Sequence, residues 1–251
     1  GNRAAVVSTF QGSNYHPETF RAIVGDSLVM RAAAGLIQRE AVTRGSSIIL
    51  LDIQGLTGPD VRLLHDFVRA VSDSSASFGA RNVGVVLPPS DTIAYPTASL
   101  ARVAWWLQLR LYGEHRPGTA PGPLASSNWI SRQIGLRAVA VGVNRLVAEF
   151  PLFGYLWEPN GAGRTVTFSE ARHLVARESG SFHRDPASEF LTATGRDGWT
   201  IWIPDGTTVR AMIAAARKSG IRTFALTGLE GAAPQILDEV SRAIQTTNKS
   251  F

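Results

Sequence analysis

Side chains that could do chemistry follow several apolar runs in this sequence. Asp52 and Gln54 come directly after a run of isoleucine and leucine, and Glu114 follows a later apolar run. A carboxylate among aromatic residues suits a sugar site, because aromatic faces stack on pyranose rings while polar groups bind hydroxyls. Alternatively, the aromatic rings only cap a hydrophobic core, and composition by itself favours this alternative. The residues in such positions are Asp52, Gln54, Tyr112, Glu114, His115, Tyr155 and Trp157.

The elements that carry these residues alternate between strand and helix patterns. The run at 47–52 is continuously apolar, as in strands buried on both faces of a parallel sheet. Apolar residues recur at helical spacing at 28–42, before this run, and again after Pro59, beyond it. Loops at the carboxyl ends of parallel strands converge, so we expect the candidate residues to face one mouth. The predicted strands are 4–10, 47–52, 83–87, 104–112, 146–150 and 223–226.

The pattern changes between residues 154 and 204. A glycine-rich turn, a helix near 169–178 and a strand at 199–203 predict a small inserted α+β subdomain before the last strand. A chain of 251 residues with 44% hydrophobic residues can form one core. We therefore predict an α/β fold with a single domain over 1–251 and an insertion at 154–204.

Composition narrows the classes of ligand and partner. No cysteine is present, and the five histidines are far apart, so we expect no metal ion and no cofactor. The net charge is +5, but the basic residues are dispersed, which argues against nucleic acid. No run of about 18 apolar residues predicts a transmembrane segment. Beginning at Gly1, the sequence fits a processed chain, and we favour a periplasmic or cell-envelope location over the cytoplasm.

Short motifs follow one another across nearly the whole chain. They lie at 50–56, 83–88, 111–115, 121–125, 153–157, 201–205 and 224–226. Their order resembles that of the family 18 glycosidases, in the chitinase-like bacterial and spore-type branch. The resemblance implies a TIM-type β/α barrel.

The resemblance also implies roles for individual residues. In that family a D-x-x-D-x-D-x-E strand supplies a glutamate that protonates the leaving oxygen, and its neighbouring aspartate orients the substrate's acetamido group. Asp52 matches that aspartate, Gln54 matches the glutamate, and Tyr112 matches a tyrosine that contacts the acetamido oxygen. The further substrate-binding candidates are Glu114, His115, Tyr155, Trp157 and Thr227.

Several positions depart from the family pattern. A carboxamide has no dissociable proton near neutral pH, so Gln54 cannot act as the general acid. Ser47 and Leu50 stand where the first two aspartates belong, and Gly113 replaces an acidic residue. Thr227 replaces the tryptophan that underlies the sugar, which removes a stacking surface. These departures favour a natural loss of activity.

The start of the chain also departs from the family pattern. Family barrels place the acid-bearing strand fourth, whereas only the run at 4–10 precedes it here. We expect a barrel that lacks its first two βα units, which leaves an unpaired strand edge that something should cover. Either the chain is trimmed, or the barrel is remodelled, or another protein covers the edge, and we favour the protein partner.

Three functional hypotheses follow. The first is a non-catalytic barrel that acts as a binding or scaffold subunit of a larger assembly, with association to a membrane complex left open. The second is a divergent hydrolase of N-acetylglucosamine-containing glycans, such as chitin or peptidoglycan, in which Asp52 and Glu114 share acid-base work. The third is a lectin-like module that binds a glycan without cleaving it.

Overall fold

The computed structural model describes residues 4–12, 14–78, 82–232 and 236–245. The strands are β1 (Ala4–Ser8), β2 (Phe10–Gln11), β3 (Asn14–Tyr15), β4 (Ile48–Asp52), β5 (Asn82–Leu87), β6 (Trp106–Arg110), β7 (Leu146–Pro151), β8 (Gly154–Trp157), β9 (Gly163–Val166), β10 (His183–Arg184), β11 (Leu191–Thr194), β12 (Thr200–Ile203) and β13 (Thr223–Thr227). The helices are α1 (Pro17–Val24), α2 (Ser27–Thr43), α3 (Val61–Phe78), α4 (Thr97–Leu100), α5 (Ser127–Val141), α6 (Phe168–Arg177), α7 (Gly206–Lys218) and α8 (Ile236–Gln245). Within these ranges no helix is both long and apolar enough to cross a membrane.

Six strands form one sheet, in the order β1-β4-β5-β6-β7-β13. The first four pair in parallel, with Val6 opposite Leu50 and Leu51 opposite Val85. Ile49 and Leu51 of β4 are fully buried and point to one face of the sheet, whereas Ile48, Leu50 and Asp52 on the other face are partly buried. The predicted alternation of parallel strands and helices is therefore observed, and β1 stands at one end of the strand order.

The chain divides into two compact units. The first comprises the residues up to Arg110 together with Leu136–Val147, and the second comprises Leu111–Gly135 and the residues from Ala148 onward. Strand β7 contributes residues to both. The predicted single domain over 1–251 includes terminal residues outside the described ranges and stays a prediction.

The insertion before β13 is a small α+β layer in the second unit. Its sheet has the strand order β10-β11-β12-β8-β9, with antiparallel pairing throughout. Leu156, Ile201 and Ile203 of this sheet share a buried cluster with Ala171 and Val175 of α6. The region between 154 and 204 thus has its own hydrophobic core, in which α6 packs against one face of the sheet.

Helix α2 begins at a clear capping residue and packs through small side chains. The Asp26 carboxylate accepts hydrogen bonds from the backbone N–H groups of residues 28 and 29. Ala34, Gln38 and Ala41 are buried at a spacing of one and two turns, and α2 packs on α3. The Gln38 side-chain amide donates to the carbonyl oxygen of Val71 at 2.8 Å.

Arg137 holds the loop that follows β5. Its guanidinium is fully buried and donates to the carbonyl oxygens of Tyr95, Pro88 and Asp91 and to the hydroxyl of Thr97, at 2.6–3.1 Å. Burial lowers the pKa of Arg137 to about 10, because desolvation disfavours the charged form. One side chain therefore fixes the loop around residues 88–97.

The substitution Arg137→Met should destabilise the protein strongly. It leaves buried carbonyl oxygens without donors, at a cost of about 1–3 kcal/mol each, so we expect a total loss of at least about 3 kcal/mol in urea unfolding. Arg132→Met, at an exposed position of the same helix, is the matched control and should change stability by less than about 0.5 kcal/mol. Equal effects of the two substitutions would show that the loop does not depend on Arg137.

Candidate functional site

The carboxyl end of β4 holds the two residues at which the sequence predicts chemistry. Asp52 is the last residue of β4, and the Gln54 side chain that follows it is buried, with 6% of the residue exposed. The Tyr95 hydroxyl fixes the backbone between them, since it donates to the Ile53 carbonyl at 2.9 Å and accepts from the Leu56 N–H at 3.2 Å. Burial raises the pKa of Tyr95 to about 12, so this hydroxyl keeps its proton.

The Asp52 carboxylate is surrounded by hydrogen-bond donors. Nη2 of Arg110 lies 3.1 Å from each of its two oxygens. The Tyr15 hydroxyl donates to Oδ2 at 2.8 Å, and Nε2 of Gln54 donates to Oδ1 at 3.0 Å. An ionised carboxylate offers about four lone-pair positions. The four donor contacts therefore occupy the lone-pair positions of the Asp52 carboxylate.

The amide of Gln54 has a defined orientation. Its second contact is with the Val86 carbonyl oxygen, 3.2 Å from Nε2. Because both Asp52 and this carbonyl are acceptors, the NH₂ group and not the amide oxygen must face them. Gln54 therefore acts as a double donor between β5 and Asp52.

Tyr15 reaches Asp52 from the β2–β3 hairpin. Its ring packs edge-on against Phe10, with centroids 5.0 Å apart, and the Arg110 guanidinium lies 5.7 Å from the ring centroid. Arg110 also donates to the Tyr15 hydroxyl at 3.1 Å. Burial is the main reason why the pKa of Tyr15 is raised to about 12. The sequence predicts neither Tyr15 nor Arg110 as a site residue.

The second unit contains a row of aromatic rings. Tyr112, Phe153, Tyr155 and Trp157 contact one another in succession, edge to face, with centroids 5.4, 5.6 and 5.8 Å apart. The first three are half-buried, whereas Trp157 is buried and donates from its indole nitrogen to a backbone carbonyl. The buried Glu149 carboxylate lies 3.4 Å from the Tyr112 hydroxyl. Phe153 and Glu149 are absent from the predicted site.

Glu114 and His115 make contacts within the loop that leads to α5. The two oxygens of Glu114 accept from the backbone N–H and the hydroxyl of Ser126, at 2.5 and 2.9 Å. Nδ1 of His115 lies 3.0 Å from the Ala120 carbonyl oxygen, and its ring occupies the space beside Gly122. Both side chains therefore stabilise this loop. Their roles in substrate binding stay predictions.

Thr227 ends β13 next to the aromatic row. Its carbonyl oxygen accepts from the Leu152 N–H at 2.8 Å. The following residue, Gly228, has a φ of 82° and lies against the Phe153 ring, where a side chain would collide. The half-buried threonine leaves no aromatic surface at this strand end.

The predicted site residues thus fall into two groups. Asp52 and Gln54 contact each other in the first unit, while Tyr112, Tyr155 and Trp157 share the ring row of the second. That the two groups face one mouth stays a prediction. Across the described ranges, no cluster of three histidine, aspartate or glutamate residues could hold a metal ion.

The structure matches solved chitinases over almost its full length. A chitinase from Chromobacterium violaceum superposes with a TM-score of 0.83 at 19% identity, covering 97% of this chain and 80% of that chain. A class V chitinase from Nicotiana tobaccum gives a TM-score of 0.80 at 16% identity, with the same two coverages. This chain has the family 18 glycosidase fold. The predicted TIM-type fold class of the family 18-like chain is therefore confirmed.

Other matches to this family 18 fold include bacterial spore proteins. The spore cortex-lytic enzyme SleL of Bacillus megaterium gives a TM-score of 0.82 at 16% identity, covering 96% of this chain and 59% of that one. YdhD of Bacillus subtilis, to which a sporulation-specific glycosylase activity is ascribed, is 21% identical over 221 residues, or 83% of this chain and 52% of YdhD. The chain spans about half the length of the curated relatives it matches. No family model matches the sequence.

The burial of Tyr15 can be measured by titration. The chain has four tyrosines, and the raised pKa values of Tyr15 and Tyr95, about 12 each, predict that both phenols remain protonated one pH unit below that value. Ultraviolet titration of Tyr15→Phe should then show one late-titrating phenol fewer than the unmodified protein. Tyr95→Phe is the matched comparison and should remove the other. An unchanged late amplitude in Tyr15→Phe would contradict the burial of the Tyr15 phenol.

Proposed function

We propose that this chain is a non-catalytic, glycosidase-like domain that serves as a binding or scaffold subunit. The observation that carries the proposal is the set of donor contacts from Arg110, Tyr15 and Gln54 to Asp52. In the family, the aspartate at this position orients the acetamido group of the substrate. Because the lone pairs of Asp52 are already engaged, it has none left for a sugar amide.

Loss of the general acid supports the same function. Gln54 carries no proton that it could transfer near neutral pH, and this assistance is worth about 10²–10⁴ in rate. Its amide is also held by two acceptors, Asp52 and the Val86 carbonyl. Gly113 and Thr227 remove further features of the family site. Several independent departures from the family pattern thus support a non-catalytic role.

A cell-envelope location suits this role. SleL is a spore cortex-lytic enzyme and YdhD is ascribed to sporulation, so the relatives point to surfaces outside the cytoplasm. The net charge of +5 favours anionic surroundings. We propose that the chain acts in the envelope as part of a larger assembly with at least one protein partner.

The central prediction concerns hydrolysis. The unmodified protein and Gln54→Glu should both release no product from N-acetylglucosamine oligomers or peptidoglycan fragments above the uncatalysed rate, because Asp52 stays bound by Arg110 and Tyr15 in both. Chromatography of the reducing-end products measures this.

Two outcomes would overturn the proposal. Strong hydrolysis by Gln54→Glu would show that the rest of the site is intact. Robust turnover by the unmodified protein that Asp52→Ala abolishes would establish a divergent hydrolase. Asp73→Ala is the matched control, since Asp73 is a well-exposed carboxylate on α3.

Sugar binding without hydrolysis is a second candidate, favoured by the half-buried rings of Tyr112, Phe153 and Tyr155. If it holds, calorimetry with chitin fragments at millimolar concentration should give heat. Tyr155→Ala should weaken that binding by about 0.5–1.5 kcal/mol through loss of one aromatic face. Trp105→Ala, at a ring exposed in the first unit, should leave it unchanged. Absence of heat would eliminate the lectin-like role.

A further inference from the structure

The sheet of the insertion has two faces of different character. Leu156, Ala193 and Ile201 belong to the buried cluster that packs α6 on one face. Successive side chains of a strand point to opposite faces of a sheet. Tyr155, which precedes Leu156 in β8, and Trp202, which follows Ile201 in β12, therefore lie on the face away from α6. We call the face that carries Tyr155 and Trp202 the outer face, and all of its residues belong to the second unit.

The register of this sheet places five residues in one row across its outer face. Trp202 of β12 is opposite Tyr155 of β8 on one side and opposite Thr192 of β11 on the other. Tyr155 is in turn opposite Thr165, and Thr192 is opposite His183. Directly opposed residues present their side chains on the same face. We call these five residues the cross-strand row. Its four strand spacings of about 4.8 Å give it a length of about 19 Å.

The cross-strand row is accessible to solvent, whereas its neighbour on the outer face is covered. The neighbouring row contains the opposed pair Trp157 and Gly163. There the Trp157 indole nitrogen donates to the Thr119 carbonyl oxygen at 2.9 Å, and Pro117 lies against Gly163. In the cross-strand row the two end residues are exposed, and the three residues between them are half-buried. A ligand could therefore reach the whole row.

The side chains of the cross-strand row indicate the chemical class of its ligand. Tyr155 and Trp202 provide two aromatic surfaces side by side, and the threonines flanking them carry hydroxyls that both donate and accept hydrogen bonds. None of the five residues is acidic, and none is lysine or arginine. Single-stranded nucleic acid also stacks on aromatic rings, but it requires a basic groove, which this row lacks. Apolar ring faces bordered by hydroxyls are the complementary features of an uncharged pyranose.

We propose that the cross-strand row binds an extended, uncharged oligosaccharide, with pyranose rings stacked on Tyr155 and Trp202. The proposal rests on sugar binding without hydrolysis and extends it, because Tyr155 also belongs to the row of aromatic rings that continues through Phe153 to Tyr112. A short sugar needs only that row of rings, whereas a longer chain gains a second stacking surface on Trp202. Affinity should therefore rise with the length of the oligosaccharide.

Calorimetry with a disaccharide and a hexasaccharide of N-acetylglucosamine tests this dependence. The hexasaccharide should bind more tightly, and Trp202→Ala should weaken its binding by about two- to tenfold while leaving the disaccharide unaffected. Trp202→Phe keeps an aromatic surface and should retain most of the affinity for the hexasaccharide. Trp105→Ala, at an exposed ring of the first unit, is the matched control and should change neither affinity. Equal affinities for the two saccharides, or no effect of Trp202→Ala, would overturn the proposal.

A measurement on the unmodified protein locates the ligand without any substitution. In NMR spectra, the methyl signals of Thr165 and Thr192 should shift when the hexasaccharide is added, because both lie in the cross-strand row. The signal of Thr43, exposed on α2, is the control and should not move. Shifts that decaproline produces and the hexasaccharide does not would identify the row as a peptide site and overturn the proposal.

The outcomes separate this proposal from the proposed function. Hexasaccharide binding that does not depend on Trp202 would eliminate the cross-strand row and leave sugar binding intact. Absence of heat with both saccharides would overturn the row and the lectin-like role together. The hydrolysis assays are affected by neither result, so the non-catalytic role stands or fails separately.

Discussion

The carboxylate of Asp52 is the constraint on which the first unit depends. Its donors come from three places in the chain: Tyr15 from the β2–β3 hairpin, Gln54 from the turn after β4, and Arg110 from β6. A largely buried carboxylate without partners would cost several kcal/mol. The hairpin, the turn and β6 must therefore keep their relative positions. The Asp52 carboxylate therefore links three separate segments of the chain.

Other polar residues of the chain also serve the backbone. Glu114 binds Ser126 just before α5, and Asp205 caps α7 through Thr208 while it pairs with Arg184. The Arg137 guanidinium donates hydrogen bonds to three backbone carbonyl oxygens and to one hydroxyl of the loop that it stabilises. In each case a side chain that could react or bind is engaged with its own fold. These charge-assisted hydrogen bonds stabilise the start of α5, the start of α7 and the loop after β5.

The sequence predicts the strands well because they are continuous apolar runs. The prediction at 47–52 corresponds to Ile48–Asp52, and the helix at 28–42 to Ser27–Thr43. The strand at 104–112 is shorter, Trp106–Arg110, since the Ala104 N–H still closes the preceding turn on the Leu100 carbonyl. The sequence does not predict the contacts of Asp52. Tyr15 is 37 residues away and Arg110 is 58, and no local pattern encodes such pairings. Likewise, periodicity identifies α2 as a helix but cannot tell which of its apolar stripes is covered.

The double contact of the Gln54 amide has a consequence for how this fold can change over time. A glutamate at this position would place a second negative charge about 3 Å from Asp52 and would lose the hydrogen bond to the Val86 carbonyl, so the carboxamide is the residue that the present surroundings select. A change of Gln54 to an acid would therefore lower the stability of the fold unless Arg110 and Tyr15 changed as well. The contacts around Asp52 thus couple these positions, so that a substitution at one of them alters which residues the others tolerate.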